Sequence, residues 1–140
     1  MIQPIWRPMP LKTSKVPGKP SAVWTLVHEY VTGPCRLRIT ATGKWQYRAG
    51  KECEADGVRD AGFSQEMLNQ AAGLGALVGK IGGSPADKGG DAKLSFVAGS
   101  YVVLAFDEKV EGALYLTMND EPKHFDQHDG QIEVAIDEAR

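Results

Sequence analysis

Three stretches of the chain place large apolar side chains at every second position. They are residues 35–41, 113–118 and 131–136, with Leu37, Leu116 and Val134 as examples. Successive side chains of a β-strand point to opposite faces, so a two-residue period predicts strands with one face in the core. In the first stretch the side chains at odd positions, from Cys35 to Ala41, are expected to point inward.

Further short strands are predicted wherever β-branched and aromatic residues lie between turn signals. These runs are 22–31, 75–81, 94–97 and 101–106, and Thr-Gly-Pro at 32–34 ends the first of them. Seven or eight short strands with little helix predict an all-β fold, either a β-sandwich or a jelly roll, in a single domain. The residues predicted to form most of the core are Leu37, Ile39, Leu77, Ile81, Phe96, Val103, Leu114, Leu116, Val134 and Ile136.

Between these strands the pattern is less regular. Residues 43–57 read as a bend followed by a long loop, and 82–93 as a polar loop. Ser64 is a suitable cap for a short helix over 65–70, because serine accepts hydrogen bonds from the first free amides of a helix. At most one or two short helices are expected, all between Val58 and Ala72.

Prolines concentrate in the first 20 residues, which hold five of the eight in the chain. Proline lacks an amide hydrogen, so this segment is predicted to be an extended proline-rich arm rather than a helix or a central strand. The apolar residues Ile5, Trp6 and Met9 favour an arm packed on the domain or on a neighbouring subunit over a free tail. The domain itself is expected to cover 21–140.

Composition and charge exclude several partner classes. A net charge of −2 and a pI near 5.9 argue against nucleic acid and anionic membranes. No apolar run is long enough to insert into a membrane and no signal peptide is visible, so we expect a cytoplasmic chain or one exported without a classical signal. Cys35 and Cys53 are expected to be free thiols, although a disulfide between them stays open.

The residues richest in chemistry lie between two of the predicted strands. Carboxylates and imidazoles from Asp120 to Asp129 follow the strand 113–118, and Gly130 then leads into the last strand. Clustered carboxylates repel one another unless a cation, a basic partner or water separates them. A polar loop carried between core strands therefore predicts a binding site.

Enzymatic motifs fail on spacing. The run from Gly73 to Gly79 has the wrong gap for a dinucleotide-binding turn, and Ile81 stands where a P-loop needs a hydroxyl, so these glycines are assigned to turns and close packing. No Gly-x-Ser-x-Gly elbow occurs. Glycoside hydrolysis by a pair of carboxylates stays open, but a protein without enzymatic activity is favoured. The candidate carboxylates are Glu52, Glu54, Asp56, Asp120 and Asp126.

Several motifs together resemble one known family. They are Gly43-x-Trp45-x-Tyr47, Asp56-Gly57, the run 75–82, and Gly112-x-Leu114-x-Leu116-x-x-Asn119-Asp120 followed by Gly130 and a final strand. With this spacing over about 35–137, the chain resembles the bacterial PA-I-type galactophilic lectins. The resemblance implies a galactose-binding-like jelly roll in which a calcium ion at one end of the sandwich bridges protein and sugar hydroxyls.

The resemblance also implies a set of site residues. Tyr47 and His124 stand where the family donates backbone carbonyls to calcium, Asp120 where it donates a carboxylate, and Gln127 and His128 where it donates two asparagine side chains. The candidate sugar contacts are Asp60, Gln65, Asp120, Glu121 and Gln127. Asp60 and Gln65 are included because they lie beside Ala61 and Ser64, the positions of the family's sugar-contacting histidine and glutamine.

Two of these positions depart from the family. Gln127 is one methylene longer than asparagine, and the imidazole of His128 is a poor ligand for a cation that prefers oxygen. Three alternatives follow: Asp126 or Asp129 supplies the missing ligand, His124 and His128 hold a transition metal, or the site is empty.

Two function classes therefore stay open. The first is a lectin-like module that holds a neutral sugar such as galactose through calcium, and the second is a non-lectin interaction domain that has lost this site. Assembly into a homo-oligomer is compatible with both. The aromatic residues Trp24, Trp45, Tyr47 and Tyr101 are expected to pack in the core or at its rim more than to stack on sugars.

Overall fold

Strands dominate the computed structural model, which describes residues 4–58, 65–88 and 95–140. The strands are β1 Arg7–Pro8, β2 Lys15–Pro17, β3 Thr25–Thr32, β4 Cys35–Thr42, β5 Trp45–Arg48, β6 Lys51–Cys53, β7 Leu77–Ile81, β8 Phe96–Val97, β9 Tyr101–Phe106, β10 Glu111–Met118 and β11 Asp129–Ala139. In the described part of the chain the one helix is the 3₁₀ helix Pro122–Gln127. The predicted all-β class is confirmed.

The strands form two antiparallel sheets. The larger has the order β6-β5-β11-β4-β9, and the arm strands β1 and β2 also pair with β11. The smaller has the order β3-β10-β7-β8. β11 is the longest strand and pairs along different parts of its length with β1, β2, β4 and β5, so the larger sheet is built around it.

The core lies between the two sheets. One cluster of buried side chains joins Leu37 and Ile136 of the larger sheet to Leu77 and Leu116 of the smaller one. Cys35, Leu37, Ile39 and Ala41 are all buried, as the alternation along β4 predicts. This packing of two inner faces makes the fold a β-sandwich.

One predicted core residue is placed on the wrong face. Val103 is 46% exposed, whereas its neighbours Val102 and Leu104 pack against the core. The run 101–106 is apolar on both faces, so its period does not show which face is inward. Register settles the point, because Val103 lies opposite Arg38 on the outer side of the sheet. Phe96 is only partly buried but packs on the core as predicted.

From residue 114 to residue 118, β10 is buried on both faces. Leu114, Leu116 and Met118 enter the main core, while Tyr115 belongs to a second cluster with Trp24, Leu68 and Val78. The segment around Leu68 and the partly buried Phe125 of the 3₁₀ helix contribute to this second cluster. β10 is therefore enclosed on both sides just before the polar loop that follows it.

The proline-rich arm lies against the larger sheet. Arg7 and Pro8 pair with β11, and Val16, which has no exposed surface, lies opposite Ile132. Met9 is buried, whereas Ile5 is 73% exposed. The short arm strands cover part of β11 without entering the centre of the sheet, which suits their proline content.

Two regions differ from their predicted form. Residues 43–57 do not form a long loop: β5 and β6 pair as a hairpin, with Gly50 in the turn at a φ of 73°. Residues 65–70 form turns instead of the predicted helix, and its cap Ser64 lies outside the described residues. The helix occurs instead at Pro122–Gln127, where proline at the first turn costs no hydrogen bond.

The glycines of the rejected nucleotide motifs serve packing and turns. A Cβ at Gly79 would lie 2.4 Å from the Phe96 ring and 2.8 Å from Leu116, so β7 can approach these side chains only without one. Gly75 has a φ of 83°, and a Cβ there would lie 2.5 Å from the Cys53 sulfur. Both observations agree with the structural role expected for this run.

Both cysteines are free thiols. Burial raises the pKa of Cys35, and it raises that of Cys53 to about 11. A thiol with a raised pKa carries little thiolate near neutral pH, so neither cysteine is suited to nucleophilic chemistry. Among the described helices, none has the length and apolar character needed to cross a membrane.

Core burial generates a stability prediction. Leu116→Ala should lower the free energy of unfolding by ~2 to 5 kcal/mol, because it removes a fully buried side chain and leaves a cavity. Val103→Ala is the matched control on the outer face and should cost less than about 1 kcal/mol. Urea unfolding followed by tryptophan fluorescence measures both, and equal losses would contradict the assigned faces.

Candidate functional site

Most of the predicted site residues that the structure describes lie at one end of the sandwich. There β10 runs into residues 119–128, here called the site loop. The loop contains the 3₁₀ helix and leads into β11, whose first residues pair with β5. Asp129 lies opposite Gln46 and Gly130 opposite Trp45. This pairing brings the end of the site loop beside Tyr47 and Arg48.

Asn119 fixes the base of the site loop. It has no exposed surface, and its amide nitrogen donates to the carbonyl oxygens of Asn69, Ala72 and Gly73 at 2.9 to 3.2 Å. Its side-chain oxygen accepts the Asn69 amide hydrogen at 2.9 Å. One buried asparagine therefore holds residues 69–73 against the end of β10.

The carboxylate of Asp120 is the centre of the site. Its side chain is 1% exposed, and its oxygens accept four hydrogen bonds. Oδ2 accepts from Arg48 Nη1 at 2.5 Å and from His128 Nε2 at 2.9 Å. Oδ1 accepts from the Glu121 backbone amide at 2.7 Å and from Arg48 Nη2 at 3.3 Å.

These bonds decide the charge of Asp120. Burial by itself would raise the pKa of this carboxyl group, because a low-dielectric environment disfavours the anion. The hydrogen bonds from His128 and Arg48, together with that from the Glu121 amide, outweigh burial and hold the pKa of Asp120 below its usual value. Asp120 is therefore a stable anion.

His128 connects this anion to the N-terminal arm. It is buried, with Nδ1 3.1 Å from the carbonyl oxygen of Gly18 and Nε2 2.9 Å from Asp120. Both partners can only accept hydrogen bonds, so the imidazolium form satisfies both contacts, whereas a neutral ring satisfies one. The ring also packs on Phe125, with centroids 4.6 Å apart.

Arg48 supplies the opposite charge. Its Nη1 donates to the Tyr47 carbonyl oxygen at 2.7 Å as well as to Asp120, and its side chain stays 26% exposed. The two acceptors are the carbonyl and the carboxylate that the resemblance assigns to a metal. A guanidinium therefore occupies the place between them.

The other predicted residues fall into two groups, one within the site loop and one outside it. Gln127 and His124 are partly exposed, with Gln127 Nε2 3.4 Å from His124 Nδ1, and the Gln127 carbonyl accepts from Gln46 at 2.9 Å. Glu121 lies 3.1 Å from the ammonium of Lys123. The remaining two candidates are not joined to the cluster: Gln65 is exposed and bonds through its carbonyl to Gln70, and Asp60 lies outside the described residues.

This donor set does not fit a calcium ion. Within residues 4–58, 65–88 and 95–140, no three His, Cys, Asp or Glu side chains are grouped so that they could hold a metal. The four bonds to Asp120 occupy its oxygens, and the Tyr47 carbonyl faces Arg48. A cation that needs six to eight oxygens would have to displace the guanidinium. His128 has both nitrogens engaged, so a transition metal shared with His124 fits no better.

Asp126 and Asp129, the candidate replacement ligands, form no hydrogen bond with the Asp120 cluster in the described part of the chain. Both are exposed, and Asp129 accepts the hydrogen bond of the Gly130 amide at 2.8 Å. Asp56, a candidate for hydrolysis, instead binds the backbone and hydroxyl of Ser100 at 2.8 and 2.9 Å. Its role in the described structure is to hold the turn before β9.

Arg48 is the site residue that the sequence analysis missed. The signal was its position directly after Tyr47, combined with the rule that clustered carboxylates need a cation or a basic partner. However, four lysines and arginines lie near Tyr47 in the sequence, at positions 44, 48, 51 and 59. No local pattern shows which of them contacts Asp120, and Arg48 is 72 positions away from it. Only the pairing of β5 with β11 makes this contact evident.

Comparisons with known proteins give a similarity of fold. No family model matches the chain, and no curated protein sequence matches it. The chain is similar to a solved structure described as the EclA N-terminal domain, a PllA-like lectin, with a TM-score of 0.57 and 14% sequence identity. The match covers 87% of this chain and 91% of the other. A similarity at this identity shows a shared lectin-like sandwich fold.

The buried ion pair predicts a strong energetic coupling. Arg48→Met leaves the Asp120 carboxylate short of a cation and should lower the free energy of unfolding by about 3 kcal/mol. In a double-mutant cycle with Asp120→Asn, the coupling energy from urea unfolding should lie at about 0.5 to 3 kcal/mol. Arg38→Met is the control, because its pair with Asp137 is about one-third exposed and should contribute less than about 1 kcal/mol. Strictly additive losses at Arg48 and Asp120 would contradict the cluster.

The lowered pKa of Asp120 predicts an acid dependence. Its stabilisation is complete above the carboxyl pKa of the unfolded chain, about 3.9, and is lost as pH falls through the lower pKa of the folded state. The melting temperature of the wild type should therefore fall more steeply below about pH 4 than that of Asp120→Asn. Thermal unfolding between pH 7 and pH 2 measures the difference, and parallel curves would show that Asp120 does not titrate with unfolding.

Proposed function

We propose that this chain is a carbohydrate-binding module whose sugar site is the end of the sandwich formed by β5 and the site loop. The observation that carries the proposal is the Arg48–Asp120 pair, a charged and partly exposed group held at the ends of two strands. The lectin-like fold and the motif resemblance support a sugar as the ligand. They do so independently of whether a metal takes part.

The chemistry around the pair suits sugar hydroxyls. A hydroxyl both donates and accepts hydrogen bonds, so it needs donors and acceptors side by side. Arg48 supplies N–H donors, and the partly exposed side chains of Gln127 and His124 supply an amide and a ring nitrogen within 3.4 Å of each other. His124 and Gln127 belong to the 3₁₀ helix, and Arg48 is the last residue of β5.

Rigidity supports binding as well. Asn119, Asp120 and His128 are buried and fully engaged in hydrogen bonds that join the site loop to the rest of the sandwich. Ligand binding then orders few additional side chains, which lowers the entropic cost of binding. A shallow polar site can in this way hold a small sugar.

Binding is favoured over catalysis by the state of Asp120. A glycosidase general acid must keep its proton near neutral pH, which requires a raised pKa. The pKa of Asp120 is lowered, and both carboxylate oxygens are engaged. The group is suited to holding Arg48 in place and not to giving a proton to a leaving group.

A second candidate function is supported by the exposed edge of the larger sheet. Among the described strands β9 pairs only with β4, and it exposes Tyr101 by 59% and Val103 by 46%. An apolar edge strand is a ready surface for another chain. The alternative is therefore a non-lectin domain that assembles through β9.

Sugar binding is tested directly with a glycan array and by calorimetry. The purified chain should bind at least one sugar class, with galactose included because of the motif resemblance, and Arg48→Met should lose that binding. Arg38→Met, on the outer face of the sheet, should keep it. Parallel runs in calcium and in EDTA show whether a metal contributes. A folded chain that binds no sugar, but whose sedimenting mass rises with concentration, would replace this proposal with the assembly alternative.

A further inference from the structure

Arg48 has unused hydrogen-bonding capacity. A guanidinium carries five N–H donors in a rigid plane. Nη1 uses both of its hydrogens, on the Tyr47 carbonyl and on Asp120, and Nη2 uses one on Asp120. Among the residues that the structure describes, none accepts a hydrogen bond from Nε–H or from the second hydrogen of Nη2.

These two donors lie on the same edge of the guanidinium. Asp120 occupies the edge between the two terminal nitrogens, which leaves the edge formed by Nε and Nη2. The two N–H bonds on this edge are parallel, a geometry that matches the two oxygens of a carboxylate. Arg48 keeps 26% of its side chain exposed and is held by Asp120 and Tyr47, so its guanidinium has a defined orientation.

The charge of Arg48 also favours an anion. A guanidinium is always protonated, and among the described residues Asp120 is the one carboxylate paired with it. That carboxylate is shared with His128, whose Nε2 lies 2.9 Å from Oδ2. A second carboxylate on the Nε edge of Arg48 would gain a charge-assisted contact with two hydrogen bonds.

We propose that Arg48 is the cation of this site and that its open edge binds the carboxylate of an acidic sugar, such as a hexuronic acid, without a metal. The inference rests on the proposed carbohydrate-binding function and names its ligand class. The sugar carboxylate accepts from Nε and Nη2, and the partly exposed side chains of Gln127 and His124 are the candidate contacts for the ring hydroxyls. A neutral hexose fills the same space but lacks the paired charge.

The test compares three ligands that share one ring. Galacturonic acid, its methyl ester and galactose are titrated into the wild-type protein in EDTA, with binding followed by protein NMR. The free acid should bind at least about tenfold more tightly than the ester, because the ester loses the charge and one of the two acceptor oxygens. This comparison uses only the wild-type chain, so it does not depend on the folding of a variant.

Two variants assign the effect to a residue. Arg48→Lys keeps the charge beside Asp120 but removes the two parallel N–H donors. It should therefore lose most of the preference for the acid over its methyl ester. Arg38→Lys makes the same substitution at an arginine that pairs with Asp137, and should keep the preference. A thermal melt of each variant confirms that it is folded. An acid preference unchanged in folded Arg48→Lys would overturn the role of Arg48.

The remaining outcomes separate this inference from the proposed function. Equal binding of the acid and the ester, or tightest binding of galactose, would overturn the inference while leaving a carbohydrate-binding module. Binding that appears only when calcium is added would do the same. Binding of no sugar from the array or from this series would end both.

Discussion

Asp120 is a carboxylate with 1% exposure at the end of β10, and an ion buried to this degree is stable only when donors compensate its lost hydration. Meeting that requirement joins distant parts of the chain. Arg48 comes from β5, and His128 adds a link to Gly18 in the N-terminal arm. One buried charge therefore joins the arm, the β5–β6 hairpin and the site loop.

The neighbouring Asn119 also joins distant parts of the chain, through hydrogen bonds between uncharged groups. Its amide group satisfies backbone groups of 69–73, while its own backbone pairs with Gly75 and Ala76. Together the two residues connect the buried end of β10 to residues 69–76 on one side and to Arg48 and His128 on the other. The base of the site is therefore fixed by hydrogen bonds, and the long side chain of Arg48 is held at its far end by the ion pair.

The fold was more predictable than the site because strand patterns are local. The alternation in β4 and β11 identified their inward residues, whereas the doubly apolar β9 misled the assignment of Val103. The site depends instead on a contact across 72 positions, between Arg48 and Asp120, which no local pattern encodes. Residue types in the site loop indicated a need for positive charge, and the expected cation was a metal where the structure places an arginine.

The most direct test of arginine in place of a metal is a crystal structure of the protein with a sugar bound, from crystals grown in the presence of calcium. Our account predicts that Arg48 Nη1 remains within hydrogen-bond distance of the Tyr47 carbonyl and Asp120, with the sugar on the Nε edge. It would be contradicted by a spherical density peak between Tyr47 and Asp120, ringed by oxygens at about 2.3 to 2.6 Å, with Arg48 displaced into solvent.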